Sequence, residues 1–134
     1  MRASSSSYQG KVLIGVDLDA ITQESAHLRS LTERPNVQCI GWQGPATNLP
    51  FETWYPRMVV KRTQASFNNA ADFALAMDMA LIAQEIKDRT KGLRIYVVSK
   101  DKSVPNIVHW FTEIQSEENT TAHMVYSPED IVLE

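Results

Sequence analysis

The sequence predicts an α/β fold: a three-layer sandwich with a mostly parallel five-stranded sheet covered on both faces. Three observations predict it. Short apolar runs rich in branched residues recur along the chain, and such runs mark strands buried on both faces. Segments with helical patterning separate them, and strand–helix alternation builds parallel sheets. Between the third and fourth runs lies one long helix, 68–85 (NNAADFALAMDMALIAQE), apolar almost all the way round. A helix without a solvent stripe is normally buried on several sides.

The elements follow in order. The first strand is 11–16 (KVLIGV). Residues 20–32 have helical character and stop at Pro35-Asn36. The second strand is 37–42 (VQCIGW), followed by a loop over 44–51 held by Pro45, Asn48 and Pro50. Trp54, Tyr55 and Pro56 lead into the third strand, 58–61 (MVVK). These aromatics fit either stacking on bases or packing in the core. After the long helix, 89–92 (RTKG) is a basic turn with Gly92 as a helix stop. The fourth strand is 94–98 (RIYVV). Pro105 suits the first turn of a helix that runs to about Gln115 and spaces Ile107, Val108, Trp110, Phe111 and Ile114 helically. A polar loop (116–121), a fifth strand (122–126) and a tail with one helical turn (128–133) complete the chain.

A chain of 134 residues with 43% hydrophobic content forms one domain with a real core. Residues 1–10, a serine run with no apolar stretch behind it, read as a flexible leader, not a signal peptide. The single domain is then 11–134. A net charge of −3 gives no general basic surface, so nucleic acid would have to meet a local patch. The single cysteine, Cys39, excludes an internal disulfide and suits a reducing, cytoplasmic setting. No apolar run approaches the ~20 residues of a membrane span, and no repeat is evident. His27, His109 and His123 lack metal-ligand spacing.

Chemistry concentrates at strand ends and on the long helix. The first strand ends in Asp17-Leu18-Asp19, and open α/β sheets gather ligands at the carboxyl ends of their strands. Asp19 could equally cap the helix that follows. Asp72 and Asp78 are carboxylates on an apolar helix, where an unpaired charge costs several kcal/mol. A metal ion or cation pair answers that cost; so does a helix cap for one and a salt bridge for the other. Being six positions apart, they diverge by about 120° round the helix and do not both face one ion. The fourth strand leads into Ser99-Lys100-Asp101-Lys102-Ser103. Asp17, Asp72 and Asp101 fall where one site gathers them, and carboxylate oxygens suit Mg²⁺ or Mn²⁺. Lys61, Arg62, Lys100 and Lys102 form a local basic patch at the same edge, or simply a solvated rim.

These residues carry a resemblance. The order of strand-Asp, Asn-Ala-Ala-Asp helix and Ser-Lys-Asp resembles the PIN-like nuclease superfamily, nearest its NYN branch. The first strand matches that branch's Asp-x-Asp-Asn as Asp17-Leu18-Asp19 and departs at Ala20. The helix is similar to Asp-x-x-Leu-x-x-Asp through Asp72, Leu75 and Asp78. The end of the fourth strand is similar to Ser-x-Asp-x-Asp-Phe through Ser99 and Asp101, with Ser103-Val104 in place of Asp-Phe. The resemblance spans roughly residues 11–110 and implies a Mg²⁺- or Mn²⁺-dependent ribonuclease. Its catalytic and metal-holding residues would be Asp17, Asp72 and Asp101, with Asp19 and Asp78 as further candidate ligands. Lys61, Arg62, Asn69, Ser99, Lys100 and Lys102 would meet the RNA. With Ser103 where the family has an acid, a second reading stands: a non-catalytic member that binds RNA, a second copy or another protein. The Asp-x-Asp also resembles the start of haloacid-dehalogenase phosphatases, with Asp17 as nucleophile and Asp19 as general acid.

Overall fold

The structure, a computed structural model, describes residues 12–45, 47–63, 74, 75, 77–79, 81, 94–100 and 121–133. Five strands form one all-parallel sheet: β1 (Val12–Asp17), β2 (Val37–Gln43), β3 (Val59–Arg62), β4 (Arg94–Val98) and β5 (Thr121–Val125). Their order is β3-β2-β1-β4-β5. The chain leaves β1 towards one edge and later crosses back to β4 on its other side. That reversal makes a topological switch point between the carboxyl ends of β1 and β4, where open α/β sheets bind ligands.

Alternation sorts the residues of β1 between two faces. Val12, Ile14 and Val16 face a core shared with Cys39, Tyr96, Val98 and the helix α1 (Ala26–Thr32), through Leu28 and Leu31. Ile131 and Leu133 of the C-terminal segment close the same core. Leu13, Gly15 and Asp17 take the opposite face. There the helical residues around 74–81 pack down, and the Met79 side chain occupies the space above Gly15. Cys39 is buried and free, and burial pushes its thiol pKa up, so it acts as a small hydrophobe.

Three sequence expectations need correction. The helix expected over 20–32 begins only at Ala26. The chain first makes a 3-10 turn, Leu18–Ala20, then runs extended through Ile21, which is buried. The reason is a second cap: the Ser25 side chain accepts from the Leu28 N–H and starts α1 afresh. The long helix is not buried all round, since Met77 and Leu81 are 68% and 67% exposed while Leu75 and Met79 are fully buried. A helix laid on one face of a sheet needs only one apolar stripe, and Met77 and Leu81 make its outer face look apolar in sequence as well. Finally, the expected 44–51 loop ends in a short helix, α2 (Phe51–Trp54). Phe51 and Tyr55 are fully buried, and the Trp54 ring packs edge-on against both, so of the two readings of these aromatics core packing holds.

Candidate functional site

The parallel register sets a row of side chains across the carboxyl end of the sheet. Asp17 is the partner of Trp42, and Trp42 of Lys61, so the three lie side by side on β1, β2 and β3. One residue past the Val16–Val98 pair, Ser99 follows β4 beside the end of β1; its N–H donates to the Val125 carbonyl at 3.1 Å. Tyr126 follows β5 in the same way. The row Lys61–Trp42–Asp17–Ser99–Tyr126 therefore spans all five strands, with Asp17 at its centre.

Asp17 is 7% exposed. Its Oδ1 accepts from the Asp19 N–H at 3.1 Å and caps the 3-10 turn after β1. Asp17 caps this turn and Ser25 caps α1, so the helix cap weighed for Asp19 falls to Ser25. The Asp19 carboxylate reaches across to the loop after β2, accepting from the Gly44 N–H at 3.0 Å and from the Thr47 hydroxyl. A Cβ on Gly44 would lie 2.6 Å from Asp19 Oδ2, so a larger residue there would push the Asp19 carboxylate aside. Asp19 fastens the β1 and β2 ends together.

Asp78 belongs to the other end of the row. Its Oδ2 accepts from Trp42 Nε1 and from Lys61 Nζ, both at 2.7 Å, and Lys61 Nζ sits 5.8 Å from the centre of the Trp42 ring. This is the salt bridge weighed for one acid of the helix, and it docks the helix on β2 and β3. Arg62 is likewise paired, reaching Glu52 at 2.8 Å. Of the basic residues expected to meet substrate, Lys61 and Arg62 therefore have acid partners, while Lys100 lies 5.7 Å above the Tyr126 ring. Asn69, Asp72, Asp101, Lys102 and Ser103 lie outside the described residues. Among the described residues no three His, Cys, Asp or Glu side chains converge as a metal site.

Between the segments that follow β1, β4 and β5, on the α1 side of the strand ends, opens a cleft of about 290 Å³. It is walled by residues 20–25, Lys100 and 126–129. Its base is a clasp that sequence reasoning did not find. The Ser25 hydroxyl donates to Glu129, Ser127 Oγ donates to the same carboxylate at 2.8 Å, and Tyr55 Oη accepts from the Ser25 N–H at 2.8 Å. The signal for half of it was legible: Ser127 and Asp130 form a capping box around Pro128.

The clasp predicts a pH dependence. The Ser25 hydrogen bond, aided by that from Ser127, holds the Glu129 pKa below its ordinary value. A depressed folded-state pKa stabilises the fold above the unfolded value, about 4.3, and that stability is lost as pH falls through the folded value. Because Glu129 is exposed and its contacts are screened by water, Glu129→Gln is expected to cost no more than about 0.5 kcal/mol at pH 7 and nothing in strong acid. Urea titrations of both proteins from neutral pH to about pH 3 check this; curves that stay parallel throughout would exclude the clasp as an acid-sensitive contact.

Compared with family models, curated proteins and solved structures, the chain matches none.

Proposed function

We propose that the chain is a PIN-like, divalent-ion-dependent ribonuclease with its centre at the switch point between β1 and β4. The observation that carries this reading is the position of Asp17. A nearly buried carboxylate stands at the carboxyl end of the central strand of a β3-β2-β1-β4-β5 sheet, beside Ser99 at the end of β4. Its oxygens suit a hard cation. With Asp72 and Asp101 as the other acids, such a site would hold Mg²⁺ or Mn²⁺. Bound there, the ion would activate water and stabilise charge on a phosphodiester. Asp19 and Asp78 are then supports: one ties the loop after β2, the other docks the helix. The commitment of Asp19 to Gly44 and Thr47 speaks against its serving as the general acid of a phosphatase. A buried free thiol at Cys39 suits a reducing, cytoplasmic setting.

A second reading, RNA or protein binding without cleavage, is favoured by one observation. Asp78, the second acid of the helix motif, is held by Lys61 and Trp42. Ser103 in place of an acid points the same way.

The test is metal binding. A ligand that binds only the native state raises Tm by mass action. Millimolar Mn²⁺ is expected to raise the Tm of the wild type and to support cutting of single-stranded RNA, and Asp101→Asn to remove both effects. Ser103→Asp adds a carboxylate and is expected to tighten Mn²⁺ binding. A wild type whose melting ignores Mn²⁺ would sink the nuclease reading and leave the binding one.

A further inference from the structure

The cleft between residues 20–25, Lys100 and 126–129 has features that the nuclease reading does not use. One wall presents Tyr126, an aromatic ring left 65% exposed, with the Lys100 ammonium 5.7 Å from its centre. The buried Ile21 contributes an apolar surface, and Thr22, Gln23 and Glu24 also line the cleft. An exposed ring beside a cation is the usual equipment for holding single-stranded nucleic acid, because every base has a face to stack and every link a phosphate to neutralise. The volume, about 290 Å³, lies at the small end of ligand sites and suits one unit, not a duplex.

We propose that this cleft is a subsite for one nucleotide of a single strand of RNA, its base stacked on Tyr126 and its phosphate meeting Lys100. The inference rests on the reading of the chain as an RNA-processing domain and names where the strand is held. The wall residues also select the base. Glu129 is locked in place by Ser25 and Ser127, and Glu24 lies 3.8 Å from Arg29 on α1. Carboxylates accept from an exocyclic amino group such as cytosine N4 and repel a carbonyl at the same place. Cytosine and uracil share a ring of one size and differ at that position, so of the two pyrimidines the site prefers cytosine.

The experiment is a binding titration of the full chain in EDTA at low salt, with fluorescently labelled oligo(C) and oligo(U) decamers read by anisotropy. Oligo(C) is expected to bind several-fold more tightly than oligo(U). Tyr126→Ala should weaken oligo(C) binding about tenfold, and Tyr126→Phe, which keeps the ring, should restore it. Lys100→Ala should weaken binding and reduce the salt slope by about 0.7. Tyr126 is largely exposed, so its loss leaves the fold to be checked by an unchanged Tm. Equal affinity for the two decamers, or an unaffected Tyr126→Ala protein, would overturn the subsite. So would free CMP competing as well as the decamer, which would make the ligand a mononucleotide. Chelation separates the two proposals. If this pattern holds in EDTA but Mn²⁺ supports no cutting, the nuclease reading fails and the subsite stands; cutting without the pattern is the reverse.

Discussion

Under the proposed reading as a nuclease, Asp17→Asn is expected to lower Mn²⁺-dependent cleavage of single-stranded RNA more than about a hundredfold, since losing even a residue that supports a metal ligand costs about 10- to 100-fold. Stability is expected to change little, with Tm moving by no more than about 2 °C. The two expectations separate because Asp17 does two things. Its Oδ1 caps the 3-10 turn by accepting from the Asp19 N–H, and Asn caps as well as Asp. The substitution thus keeps this cap and removes the charge. Asp17→Ala removes both, and should add about 1 kcal/mol of lost capping to the same loss of activity. Cleavage time courses on the three proteins, with urea melts of each, check the split. Wild-type cutting rates in Asp17→Asn would mean that the observed activity is a contaminant or belongs elsewhere on the chain.

The sheet was legible because its signal is local. Each buried parallel strand is a short run of branched apolar residues, as in 12–16 and 94–98, and the punctuating Pro and Gly are unambiguous. Strand ends were displaced by a residue or so, as at β3, because Met58 packs into the core from outside the ladder. The site was legible only as positions. Asp17 and Ser99 were picked out by lying at strand ends, which needs no tertiary knowledge. The partners of the other groups were hidden, because they depend on which strands become neighbours. Nothing local says that Trp42, Lys61 and Asp78 meet, or that Asp19 reaches Gly44 across 25 residues of chain. The Ser25–Glu129 clasp, 104 residues apart, was beyond any pattern of spacing. Hydrophobic counting misled at the long helix, where Met77 and Leu81 are apolar and yet exposed.

That helix also provides the largest expected loss of stability. Gly15 lies in the middle of β1, and a Cβ built on it would fall 1.8 Å from Met79 Sδ and 2.7 Å from its Cε. Gly15 is fixed there by the close approach of the helix to the strand. Gly15→Ala is therefore expected to cost about 1–3 kcal/mol by overpacking. Met79 is fully buried, so Met79→Ala alone should cost about 2–5 kcal/mol by leaving a cavity. The two changes occupy and vacate the same space, and residues in contact do not add. The double variant is expected to be more stable than the sum of the single losses by at least about 0.5 kcal/mol. Urea denaturation of the four proteins closes the cycle, and strict additivity would mean that the helix does not rest on Gly15. The same contact bears on the site. Asp78 is the next residue before Met79 and anchors the helix to Trp42 and Lys61, while Asp17 stands two residues beyond Gly15 on the same face. Lifting the helix off Gly15 should loosen the Asp78 anchor and disturb the row of side chains around Asp17. Gly15→Ala is accordingly expected to reduce Mn²⁺-dependent cleavage under conditions where the variant is still fully folded, and Met79→Ala in the same chain to recover part of it.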